Sequence, residues 1–324
     1  MTLPRVLLAI TVVLLFAITT TSAHIRLSPA DAAELVLVRG LHRIVATVAG
    51  VWLLVLVALA WSDLRSVPQR IALISLVVLA GLLAWLGLVT PSELPAVTLA
   101  NLLGGMAMLA LAAALHGAVG GVEPSASMRR PPRSLIRWQA VAIGAVLLQI
   151  GWGGMIAARG AAAACADAPL CGTAWIGTDS GWAVLDPFRG SLDDVAAQAV
   201  AHGQRALHAI HRLLGIATVA AVAYAALRTL GTGVARTWSL VALASVAVQP
   251  LLGAGIASGL DTPMLMLAHN VTAALVLSSL SVAAGASAAA AGASDRLRRS
   301  DRRFEAPRAR RARSLQRRAS GDAT

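Results

Sequence analysis

Leu41-His42-Arg43-Ile44-Val45-Ala46-Thr47-Val48-Ala49 and Ile210-His211-Arg212-Leu213-Leu214-Gly215-Ile216-Ala217-Thr218 decide how this chain is read. Each His-Arg pair opens a long apolar run, and the two histidines stand 169 residues apart, which indicates an internal duplication. Thr98-Leu99-Ala100-Asn101 and Met266-Leu267-Ala268-His269 repeat the match at an offset of 168. An ionisable residue just inside a membrane segment is costly, and it is usually there because it binds something. Two copies point to a membrane protein that holds metal or haem.

The rest of the chain agrees with a membrane setting. Its 324 residues are 57% hydrophobic and 13% charged, with a mean hydropathy of +0.74, which excludes an ordinary soluble domain. A span needs about 20 mostly apolar residues to cross about 30 Å of hydrocarbon. Eight segments qualify, at roughly 4–22, 39–61, 71–89, 96–119, 138–157, 204–227, 237–257 and 264–288. Their apolar runs are continuous rather than alternating, which argues against a β-barrel. The expected fold is all-α, with eight transmembrane helices arranged as two tandem pseudo-symmetric four-helix bundles. The first bundle covers 1–119, a linker containing Pro124, Pro131 and Pro132 covers 120–137, and the second bundle covers 138–288 with an external loop at 158–203. Residues 289–324 read as an Arg-rich, disordered cytoplasmic tail. Arg5, the first apolar run and Thr21-Ser22-Ala23 resemble a signal peptide. The symmetry of the halves favours an uncleaved helix.

The net charge of +12 comes from arginine, since the chain has no lysine. Arg65, Arg70, Arg129, Arg130, Arg133, Arg137, Arg228 and Arg236 fall in connections after even-numbered spans, and a run from Arg296 to Arg318 follows the last span. Excess arginine marks the cytoplasmic side, which places both termini inside a plasma-membrane protein. Asp167, Asp179, Asp186, Asp193 and Asp194 lie in the loop between spans five and six, which suits an outside location. Membrane lipid, rather than nucleic acid, is the expected partner of the basic tail.

His211 and His269 both fall in the outer leaflet, about two turns into spans six and eight. They are the candidate axial ligands of a b-type haem in one four-helix bundle. Arg212 follows the ligand within the bilayer, where an unpaired guanidinium is expensive, and a haem propionate is its natural partner. Arg43 takes the same place beside His42. His208, one turn before His211, is read as a propionate or access-route residue, and His202 as a solvated one. His24 and His116 have no counterparts in the other half. Cys165 and Cys171 lie in the external loop, where an oxidising compartment favours a disulfide. A redox-active pair is an alternative. A two-cysteine metal site is weaker, because no nearby histidine completes it.

Taken in order, these residues resemble the haem A synthase family, membrane enzymes that convert haem O to haem A for cytochrome oxidase. The resemblance rests on Gln149-Ile150-Gly151-Trp152-Gly153-Gly154, Arg159-Gly160, Cys165-Ala166-Asp167-Ala168-Pro169-Leu170-Cys171, His211-Arg212, Gln249-Pro250-Leu251-Leu252-Gly253 and Leu267-Ala268-His269. It implies oxidation of the C8 methyl of haem O, through an alcohol and a hydrated aldehyde, to a formyl group. Haem b is the implied cofactor of the second half, and haem O the substrate held in the first by His42, the implied catalytic residue, and Arg43. Haem O synthase and oxidase assembly factors are the implied partners, and self-association is left open.

The first half departs from the family pattern. Its loop at about Ser22 to Val38 has no cysteine pair, Asn101 stands where a second histidine is expected, and Arg39 stands where an acidic residue is expected. Glu34 is the nearest substitute carboxylate, displaced by more than a turn. A second reading therefore stays open: a non-catalytic haem b-binding membrane paralogue acting in oxidase assembly, haem handling or electron transfer. A repeat-built transporter is disfavoured by the lack of midplane helix breaks.

Overall fold

A computed structural model describes residues 2–28, 34–64, 66–89, 94–120, 131–165, 171, 179–260 and 262–321, without the side chains of 179–180 and 294–321. Arg65, Arg129, Arg130, Asp167, most of the 120–137 linker and the stretch between the two cysteines lie outside the described residues. Eight helices follow one another: α1 (Leu3–Leu27), α2 (Glu34–Ala60), α3 (Val67–Val89), α4 (Pro95–Val119), α5 (Arg133–Ala158), α6 (Ala197–Leu230), α7 (Arg236–Ala257) and α8 (Pro263–Gly321). All eight are long and apolar enough to cross a membrane, and the described residues contain no strand. The chain is an all-α integral membrane protein.

Local chemistry sets many of the helix ends. Proline near the N-terminus starts α1 and α4, where its fixed φ suits a helix and no intrahelical N–H is lost. Gly259, just beyond α7, has φ +92°, a left-handed conformation that would strain any side chain.

Within each half the helices form a ring. α1 packs on α2 and α4, and α3 on α4, while α5 packs on α6 and α8 and α7 on α6 and α8. α6 and α8 face each other across a diagonal and barely touch. The halves join chiefly through α4 against α8, the most buried of the eight spans. α2 and α3 present apolar side chains outward, including Val36, Leu37, Leu54, Leu82 and Trp85. Such a surface suits lipid contact, where burial by other helices brings no hydrophobic gain. Inside, the fully buried Gln139 amide nitrogen donates to Thr229 Oγ1 at 2.9 Å and Ser287 Oγ at 3.1 Å.

Two boundaries differ most from the sequence expectation. α6 begins at Ala197, seven residues ahead of the apolar span, because Ala197 to Gly203 is rich in helix formers yet too polar to register as membrane-spanning. α8 continues as helical backbone to Gly321, where a disordered tail was expected; its Ala, Arg, Leu and Gln content favours helix even though its charge does not favour a core.

Candidate haem-binding site

His211 on α6 and His269 on α8 occupy the two diagonal helices of the second half. α5 and α7 complete the walls. The Gln149 amide on α5 donates to the His211 carbonyl at 3.0 Å, and its nitrogen lies 3.1 Å from Nδ1 and 3.2 Å from Nε2 of the same ring. The Gln249 amide on α7 donates to the His269 carbonyl at 2.9 Å. Pro250, inside α7, does not interrupt the helix. Gly153 and Gly253 leave space for the rings: a Cβ on Gly153 would stand 3.2 Å from His211 Cε1, and one on Gly253 would stand 3.6 Å from His269 Cε1.

The polar inventory of this space is incomplete within the protein. His269 Nδ1 and Gln149 Oε1 are buried and unpartnered. A buried polar atom left without a partner is destabilising, so the His269 imidazole suits a group that binds nitrogen. Haem iron held by two histidines meets that requirement.

Arg212 is not stranded in the bilayer. Its Nη2 donates to the Cys165 carbonyl at 2.7 Å, which ties the residue after His211 to the loop above. Cys165 and Cys171 form a disulfide with a Cα–Cα separation of 5.1 Å. Both are buried, at 3% and 5% exposure, which disfavours a pair that exchanges with outside thiols. Cys171 has φ 65°, an uncommon left-handed conformation for a non-glycine residue.

His208 corrects one expectation. Its ligating nitrogen and the two sulfurs all lie within 4.8 Å of one another, so a histidine does stand beside the cysteine pair. The loop folds back over α6 and brings together residues far apart in sequence. With the sulfurs joined, the cluster offers no thiolates.

Arg159, just past α5, organises the remaining loop. It is 8% exposed and donates to the main-chain carbonyls of Val184 (3.1 Å), Asp186 (2.6 Å), Arg189 (2.7 Å) and Gly190 (3.4 Å). Burial pulls its pKa down from the usual arginine value while the nearby Asp186 charge opposes that shift. Gln204 on α6 donates to the Arg159 carbonyl at 2.8 Å. The loop also reaches the first half, where Ala96 N donates to the Pro187 carbonyl at 2.8 Å. At the exposed rim, Arg189 pairs with Asp194 and holds its carboxyl below the ordinary value.

The first half presents a different arrangement. His42 on α2 has Nδ1 3.0 Å from Thr21 Oγ1 on α1. Asn101 lies on α4, while Arg39 and Arg43 are exposed. Glu34 pairs with His24 Nε2 at 3.6 Å. His116 sits beside Arg5 near the C-terminal end of α4, the end opposite Asn101. The roles of Gln149, Gln249 and Arg159 were not assigned from sequence. A usable signal existed for the glutamines, since each is followed four residues later by glycine.

A family model described as cytochrome oxidase assembly protein matches residues 19–281, most of both halves. No curated protein matches the chain. The chain belongs to the COX15-CtaA family of cytochrome oxidase assembly proteins, the haem A synthase family.

Proposed function

We propose that this protein converts haem O to haem A by oxidising the C8 methyl group to a formyl group, for cytochrome c oxidase biogenesis. The observation that carries the cofactor half of this reading is that His211 and His269, on the diagonal helices α6 and α8, each have their carbonyl bonded by a glutamine and their ring opposed by a glycine. Those two imidazoles would hold a b-type haem, which supplies one-electron transfer when bound. Arg212 would attract a propionate by its charge.

Haem O is the substrate of the first half. His42 would be the imidazole for its iron, and the Thr21 hydroxyl beside Nδ1 supports ligation through Nε2. Arg43 would attract a propionate at the helix surface. The orientation that follows from the arginine distribution puts both termini in the cytoplasm and the disulfide loop outside the plasma membrane.

A non-catalytic haem protein serving oxidase assembly is the second reading. It is favoured by Asn101, a poor iron ligand, and by Glu34, which is engaged by His24 instead of replacing the carboxylate missing at Arg39. One experiment separates the two. Haems extracted from cells that make haem O and express this protein are resolved by chromatography. Haem A above the control level supports the synthase, and haem b in the purified protein without haem A supports the second reading.

A further inference from the structure

Gln149 and Gly153 on α5, and Gln249 and Gly253 on α7, repeat the same four-residue spacing 100 residues apart. Residues four apart share one helix face. In both cases that face meets a histidine of the neighbouring helix at two points: the carboxamide bonds the main-chain carbonyl and the glycine faces Cε1. A helical carbonyl has a second lone pair after its intrahelical bond, so the glutamine adds a bond without displacing one.

We infer that Gln149–Gly153 and Gln249–Gly253 are paired clamps that set the orientation of the His211 and His269 imidazoles, and thereby the strength and geometry of their ligation. The inference rests on the haem reading above. The glutamines are positioning residues, acting through the histidines. The two clamps are unequal. Gln149 also contacts the His211 ring, its amide nitrogen standing 3.1 Å from Nδ1 and 3.2 Å from Nε2, so its N–H groups can serve a ring nitrogen as well as the carbonyl. Gly153 stands closer to its ring than Gly253 does, 3.2 Å against 3.6 Å for an added Cβ. At 3.2 Å the ring must give way, whereas 3.6 Å is ordinary van der Waals contact.

The test uses the full-length protein purified with haem, with occupancy matched between wild type and variants. Low-spin electron paramagnetic resonance g-values and the rate of haem loss to apomyoglobin are measured for Gln149→Leu, Gln149→Glu, Gln249→Leu, Gly153→Ala and Gly253→Ala. Expected are haem loss about tenfold faster in both leucine variants, the scale typical of losing a partner of a metal ligand, and shifted g-values. Gln149→Glu, which keeps the length of the side chain but loses the N–H donor, falls with Gln149→Leu and away from wild type. Gly153→Ala, which adds one methyl and keeps the glutamine, shifts the g-values more than Gly253→Ala. Wild-type g-values and loss rates in both leucine variants and in Gly153→Ala overturn the clamps and leave the haem site standing. Wild-type protein that takes up no haem, or haem equally bound after His211→Ala and His269→Ala, overturns the haem reading itself.

Discussion

Gly117 on α4 and Gly285 on α8 cross with their backbones in direct apposition: a Cβ on Gly117 would collide with the Val282 carbonyl, and one on Gly285 with the Ala114 carbonyl. The contact is reciprocal, and both Gly117 with Gly285 and Ala114 with Val282 are separated by 168 residues, the offset between Asn101 and His269. Helices in lipid gain little from burying apolar surface, so close backbone approach through small residues supplies much of the association. This crossing is where the halves hold together.

Substitution at the crossing should therefore separate the halves before it unfolds either one. Gly117→Val and Gly285→Val are each expected to cost about 1–3 kcal/mol, the range for overpacking a tight contact. Thermal unfolding in detergent, followed by helicity, reads the loss. Unchanged midpoints for both variants would contradict the assigned interface.

The disulfide makes a second expectation. Closing a loop between Cys165 and Cys171, a sequence separation of 6, restricts the unfolded chain by about 2 kcal/mol. The bond predicts that thiol reagents find no reactive cysteine in the native or in the denatured, unreduced protein. After denaturation with reductant, two thiols should label. Because Arg212 bonds the Cys165 carbonyl, Cys165→Ser with Cys171→Ser should also loosen Arg212.

Arg159 gives a third. Four main-chain carbonyls converge on one planar guanidinium, a geometry that an ammonium cannot reproduce. Arg159→Lys is expected to fail almost as fully as Arg159→Ala, with a loss of about 2 kcal/mol or more of loop stability. The measurement is limited proteolysis between 179 and 196. Cleavage of Arg159→Lys at the wild-type rate would show that charge alone suffices.

Much of the fold was legible because the spans announce themselves: α4, α5 and α7 follow continuous apolar runs and end near the expected residues. What escaped detection depends on three-dimensional return of the chain. Arg159 bonds carbonyls 25 to 31 residues away, and main-chain acceptors leave no mark on sequence. His208 comes beside Cys165 and Cys171 only because the loop folds over the α6 extension, whose polar residues hide it from hydropathy. The Gln149–Gly153 and Gln249–Gly253 repeat was visible, but it runs between helices of one half at an offset of 100. Comparing halves at an offset of 168 passes over it.

The cofactor site makes a direct spectral prediction. Purified protein should show low-spin b-type haem, and either His211→Ala or His269→Ala should abolish that signature, since one imidazole leaves an iron position open. An intact absorption spectrum in both variants would exclude these ligands.

Catalysis is tested by the residues the first half has kept and lost. With Asn101 on α4 where the family pattern has a histidine, the proposed substrate haem would have one strong axial ligand there, His42, whose Nδ1 lies beside Thr21 on α1. An open iron position is compatible with oxidation chemistry, whereas the loss of a carboxylate at Arg39 removes a group that could move protons from a reacting alcohol. Formation of haem A is therefore expected to depend on His42 and to be slow. Asn101→His should tighten haem binding in the first half, because imidazole ligates iron far better than an amide. Haem A content by chromatography, in cells that make haem O, compares wild type, His42→Ala and Asn101→His. Wild-type haem A levels in His42→Ala would move the substrate chamber elsewhere. Absence of haem A in wild type, with the His211 and His269 site fully loaded, would leave a haem-binding assembly protein without synthase activity.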